Sequence, residues 1–295
     1  MQRATDAWPD APDLQHRTLA FDLNGHHFEG HLVAPAAEVG PRPLILVIHN
    51  YQGLKQFDRD VAEYLARLGY VGLAIDMYGD QVPMDQREFP TDPALIEPFQ
   101  KKCFQAMVWL DHDHSWFRAL LTQWIKVGRA DPACDDRRAP SAIGYCFGGM
   151  AVLECVRAGL DLSAAISFHG LLQTGEDPNP GHFGAARPPL KPAPNHYNTN
   201  TIVLIENGAN DHLVSQHSKE RFFTEMDDAG VDWSFVEHAQ TPHGFALPRQ
   251  IGPPGHLHPA ADLRSTQNML SLFREVYPDI AQNPVTHNAA GTAIA

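Results

Sequence analysis

The stretch Gly144-Tyr145-Cys146-Phe147-Gly148-Gly149 stands where a short apolar run, Ser141 to Gly144, gives way to a helix-forming one, Gly148 to Ala158. Its spacing is Gly-x-Cys-x-Gly, the pattern of a nucleophile elbow with sulfur in place of oxygen. A residue held on so sharp a turn adopts a strained backbone conformation, and the positions two before and two after it pass so close that a β-carbon would clash. The central side chain is pushed out at the C-terminal edge of the sheet, where open α/β sheets bind ligands. It also lies at the positive end of a helix, which favours thiolate over thiol. A lone cysteine is more often a small core residue. The flanking glycines and the strand-to-helix setting make Cys146 a candidate nucleophile instead.

Upstream, Pro43 to His49 is an apolar, β-branched run of the kind found in a central strand buried on both faces. Phe57, Val61, Tyr64, Leu65 and Leu68 then recur at helical spacing, and Gly69 sits where a helix stops. Val71 to Ile75 is a second short strand, ending at Asp76. Strand, helix and strand make a βαβ unit, with parallel strands and a right-handed crossover. Leu95 to Val127 predicts a long helical stretch interrupted at Asp111 to His114. Downstream, Ala164 to Phe168, Thr201 to Glu206 and Asp232 to Val236 read as strands, and Ser215 to Ala229 and Ala260 to Val276 as helices. Thr18 to Val33 alternates around Asn24-Gly25, the signature of an antiparallel hairpin.

The pattern predicts an α/β fold: one domain over residues 1–277, built on a doubly wound, mostly parallel sheet with an antiparallel N-terminal hairpin. Residues 173–200, rich in Pro, Gly and Asn, are expected to form a long irregular loop near the site. Residues 278–295 lack a periodic apolar face and are expected to form a disordered tail.

A chain of 295 residues, 43% of them hydrophobic, can bury a large core. Its net charge of −13 opposes nucleic acids and anionic membrane surfaces as partners. Neither a signal peptide nor a run of ~18 apolar residues is apparent, so a cytoplasmic protein is expected. Cys103, Cys134, Cys146 and Cys155 are too scattered for a disulfide framework. The close histidine pairs, such as His112 and His114, lack the i, i+4 spacing with a nearby Glu of a helical zinc site. No metal or cofactor is expected.

Two further segments bear on Cys146. Asn207-Gly208-Ala209-Asn210-Asp211-His212 follows one predicted strand, and Thr241-Pro242-His243-Gly244-Phe245 follows the next. Singly, Asp211 reads as a turn residue and His243 as a loop histidine. Together with Cys146 they give the order nucleophile, acid, histidine, each just beyond a strand. A slip of one position would substitute Asn210 or His212 for the acid.

With these residues in view, the chain resembles the dienelactone hydrolase family of α/β-hydrolases. The matching motifs are His49 to Leu54, Asp76 to Gly79, Gly144 to Gly149, Phe168-His169-Gly170, Gly208 to Asp211 and His243 to Ala246. The resemblance implies an α/β-hydrolase fold and a triad of Cys146, His243 and Asp211. The thiolate would attack an ester or lactone and water would resolve the thioester. It also implies an oxyanion hole made by the backbone N–H groups of Phe147 and Tyr51, although Tyr51 also fits a surface-packed loop aromatic.

The departures are as informative. Asn50 stands where dienelactone-cleaving members carry a glutamate that helps to activate the cysteine, and an amide cannot take up a proton. Asp80 and Leu247 align with two arginines that hold a substrate carboxylate there. Losing both would weaken an anionic substrate by several kcal/mol, so a non-anionic ester or lactone is expected as the small-molecule partner. The missing glutamate also leaves open a catalytically silent binding protein on the same fold, and the elbow alone admits peptidase or acyl-transfer chemistry. No oligomeric state is assigned.

Overall fold

The computed structural model describes residues 13–176 and 182–280. Among these residues, eight strands form one sheet in the order β1-β2-β4-β3-β5-β6-β7-β8. They are β1 Leu14–Leu23, β2 His26–Pro35, β3 Leu44–Ile48, β4 Val71–Ile75, β5 Ser141–Tyr145, β6 Ala164–Phe168, β7 Ile202–Gly208 and β8 Asp232–His238. From β4 to β8 all pairs are parallel; β1 with β2 and β2 with β4 are antiparallel. The hairpin turn has Asn24 and Gly25 both at positive φ, 51° and 83°, as a two-residue turn matching strand twist requires.

Among the described residues, six helices cover the two faces: α1 Gln56–Arg67, α2 Pro93–Asp111, α3 His114–Arg129, α4 Phe147–Arg157, α5 Gln216–Ala229 and α6 Pro259–Val276. Alternation along β3 shows how they divide. Leu44, Leu46 and Ile48 face the layer with α2 to α5, while Ile45 and Val47 face α1 and α6. All five are buried, each contributing about 1.5–3 kcal/mol. The helical stretch expected from Leu95 to Val127 breaks where Asp113 caps α3, its carboxylate accepting the Trp116 N–H at 3.1 Å.

Strand order reverses between β3 and β5, with Ile48 paired to Gly144. At such a switch point the loops beyond the two strands part and leave a crevice. The elbow after β5 and the loop after β3 border it.

Residues 182–200 of the irregular segment carry one short 3-10 turn, His182–Gly184. A buried ion network anchors the segment: Arg118 bonds Glu154 at 2.9 Å and reaches Pro194 O and Asn195 Oδ1, both at 2.7 Å. Of the tail expected from residue 278, residues 281–295 lie outside the described residues. Its first residues are packed: Ile280 is buried and Asp279 pairs with Arg138.

Candidate active site

Cys146 has φ 57° and ψ −113°, in the turn from β5 into α4. Glycines on both sides make this bend possible. A Cβ on Gly144 would lie 2.1 Å from Gly148 O, and one on Gly148 would lie 2.0 Å from Ile48 O. The start of α4 is thereby pressed against the end of β3. Cys146 is nearly buried, at 7% exposure.

Asp211 follows β7 and His243 follows β8. Parallel pairing of these strands brings their loops together, with Asn210 N–H on Thr241 O at 2.9 Å. His243 Nδ1 donates to Asp211 Oδ2 at 2.8 Å; a carboxylate only accepts, which fixes the proton on Nδ1. Asp211 Oδ1 also accepts the Leu213 N–H at 2.9 Å. His243 Nε2 is buried without a partner at hydrogen-bonding geometry, yet Cys146 is close enough to act on the ring. Burial opposes a charged imidazole, but the interaction with Cys146 and then the Asp211 hydrogen bond outweigh it, and His243 is pushed up to about 10. Contacts between nucleophile and base are commonly loose before substrate binds. His212, the exposed neighbour of Asp211, lies with its ring 6.4 Å from that of His243; Asp211 makes the hydrogen bond.

The loop after β3 is tightly accounted for. Asn50 Oδ1 accepts Gln52 N–H at 2.8 Å, Asn50 O accepts Gly53 N–H, and Tyr51 O accepts the Tyr78 hydroxyl at 2.7 Å. The amide of Asn50 is thus a turn-former here. The N–H groups of Tyr51 and Phe147 donate to no other group among the described residues. The Tyr51 side chain is half-buried and edge-on to Phe104 of α2 at 6.1 Å. Phe104 also packs on His182 and Phe183, at 5.0 and 5.7 Å. That links the irregular segment to the site.

Asp80 is exposed and bonded to the hairpin. The Asp76 carboxylate binds the N–H groups of Tyr78 and Gly79 and turns the chain outward, so Asp80 accepts the His27 N–H of the hairpin at 2.9 Å. Leu247 is buried in the turn after His243, its N–H on Gly244 O at 2.9 Å. A cavity of about 630 Å³ lies elsewhere, beneath the irregular segment and lined by Arg118, Glu154, Arg157 and Glu225 among others.

Three buried groups near the site carry no role in the sequence reading. His169 has φ 41°, and its ring packs 5.2 Å from that of His243 with both nitrogens lacking a hydrogen-bond partner among the described residues; its place in the Phe168-His169-Gly170 motif was the signal available. His49 is a neutral brace: burial holds it down to about 3, and its Nε2 accepts the Met77 N–H at 3.1 Å. Lys55, at the start of α1, is buried beneath the loop after β3.

The dienelactone hydrolase family model matches residues 28–277. The putative carboxymethylenebutenolidase of Escherichia coli K12 is 23% identical over 85% of this chain and 83% of its own length. That of Salmonella typhimurium is 24% identical over 92% and 94%. Among solved structures, one named m3DLH superposes with a TM-score of 0.70 at 28% identity, over 89% of this chain and 98% of its own. The dienelactone hydrolase-like promiscuous phosphotriesterase P91, from metagenomic libraries, gives 0.69 at 26% over the same shares. With the elbow, the sheet and the matched span in agreement, the chain belongs to the dienelactone hydrolase family.

Proposed function

We propose that this family member, an ester or lactone hydrolase, works through Cys146 as nucleophile, His243 as proton carrier and Asp211 as the residue that orients and stabilises the imidazolium. The observation that carries this reading is Cys146 on a positive-φ turn beside an imidazole already bonded to a carboxylate at 2.8 Å. The thiolate attacks the acyl carbon, and the oxyanion takes hydrogen bonds from the free N–H groups of Tyr51 and Phe147. His243 passes its Nε2 proton to the leaving alkoxide as the thioester forms. It then removes a proton from the water that cleaves the thioester, releasing the acid.

The substrate in this reading carries no negative charge. Support comes from Leu247, apolar and buried, and from Asp80, so that neither of the two aligned positions supplies a cation. A phosphotriester, which the similar protein P91 is named for cleaving, is likewise uncharged.

The test is hydrolysis of matched p-nitrophenyl esters, one neutral and one ending in a carboxylate, by the native protein and by Cys146→Ala. Cys146→Ala is expected to lose at least about 10³-fold in kcat/KM, and mass spectrometry to find an acyl group on Cys146. Undiminished turnover by the alanine variant would defeat the nucleophile assignment. Preference for the anionic ester would defeat the substrate class. A silent binding protein would turn over neither ester.

A further inference from the structure

The first residue flanking α1 is a lysine, where helices favour Ser, Thr, Asp or Asn because a side-chain oxygen can accept a first-turn N–H. Lysine has no acceptor to offer. Only half of the usual reciprocal cap is made, the Lys55 N–H donating to Asp58 Oδ2 at 2.8 Å. The ammonium is nevertheless buried, at 2% exposure, and makes no salt bridge among the described residues. It turns back instead to two carbonyls, Gln52 O and, at 3.2 Å, Gly53 O. The Phe99 ring lies 5.0 Å away, and the Cys103 thiol shares Gln52 O at 3.4 Å. A local rule broken at the expense of burying a charge points to function.

The carbonyls it binds follow directly after Tyr51, in the turn closed by Gly53 N–H on Asn50 O. We propose that Lys55 is a positioning residue: its ammonium clamps the 52–53 carbonyls from behind, so that the Tyr51 N–H is held toward Cys146 and an oxyanion forming there sees a fixed positive charge. This rests on the oxyanion role given to Tyr51 above. Burial brings Lys55 down to about 8, with Cys103, Asp58 and Glu88 favouring its charge and Arg87 opposing it; His49 also faces it from the end of β3. The clamp therefore loosens as pH rises through about 8.

The test compares native protein, Lys55→Met and Lys55→Arg on a neutral p-nitrophenyl ester from pH 6 to 9.5, corrected for spontaneous hydrolysis. Lys55→Met is expected to lower kcat about 10- to 100-fold, less than the roughly 10²–10³ of an oxyanion donor lost outright because the donor is loosened and not removed, with KM changed less than about twofold. Lys55→Arg should restore most of kcat and remove the native decline above pH 8. Equal loss in both variants at unchanged pH profile, or kcat within twofold of native in Lys55→Met, overturns the clamp. A variant-free readout covers failure to fold: in native protein labelled with ¹⁵N-tyrosine, the Tyr51 amide shift should move with a midpoint near pH 8, and an invariant shift overturns the proposal. If Cys146→Ala remains active, the parent reading has failed instead.

Discussion

Glu206 and His238 share a 2.6 Å hydrogen bond across the ends of β7 and β8, behind the Asp211–His243 pair in the loops that follow the same two strands. Both pairs span 32 residues of sequence. Glu206 Oε1 is further held by Asn268 of α6 at 2.8 Å, and Ala209 N–H bonds His238 O at 2.9 Å. The deeper pair thus fixes the spacing of the loops that carry the outer one.

Removing the imidazole leaves Glu206 fully buried with Asn268 alone. His238→Ala is expected to cost ~3–5 kcal/mol of stability, read from urea unfolding. It should also lower kcat roughly 10–100-fold through misplacement of His243. Unchanged unfolding midpoint and rate would show that the strand ladder alone sets the loops.

Gly148→Ala should be far more damaging than its chemistry suggests, because the new methyl would lie 2.0 Å from Ile48 O, a backbone atom of a central strand. Gly25→Ala meets nothing within 4 Å and bears only the left-handed backbone penalty of about 1–2 kcal/mol. Thermal melts should therefore separate the two widely, with esterase activity surviving in Gly25→Ala alone.

What could be read from the residues alone was whatever repeats locally. β3, β4 and the hairpin follow from apolar runs and from Asn24-Gly25, and the elbow from its glycines. The placement of Asp211 and His243 just past β7 and β8 was legible from the strand pattern. How Asp80 is held was not legible, since only coordinates reveal how the Asp76 carboxylate turns the following residues and brings Asp80 onto the His27 N–H. Lys55 and Glu206 were illegible for another reason. Lys55 turns to carbonyls of its own loop and Glu206 to residues of β8 and α6, and no pattern of residue types encodes such contacts.

Asp58 offers a pH test of burial. Its carboxyl is pushed up to about 7 by burial, against the Lys55 N–H that bonds it. A folded-state value above the unfolded one means that stability is fully present below about pH 4 and is lost as pH rises through 7. Asp58→Asn keeps the acceptor for Lys55 N–H and removes the titration. Its unfolding free energy should exceed that of the native protein at pH 8 by on the order of a few kcal/mol, and the gain should vanish near pH 4. An equal difference at both pH values would show that Asp58 does not titrate in this window.

His243 is raised as well, but through partners rather than against them, since Cys146 and Asp211 both favour its charged form. Its contribution to stability should be complete below about pH 6.5, its ordinary value, and fade as pH rises toward 10. The unfolding midpoints of native protein and His243→Gln should therefore differ most near pH 6 and converge at high pH. The same charge keeps a cation beside the sulfur at neutral pH, so native Cys146 should react rapidly with iodoacetamide at pH 7. His243→Gln, lacking the cation, should react about tenfold more slowly. Labelling as fast in the variant as in the native protein would mean that the imidazole does not activate the thiol, and that the start of α4 supplies the whole effect.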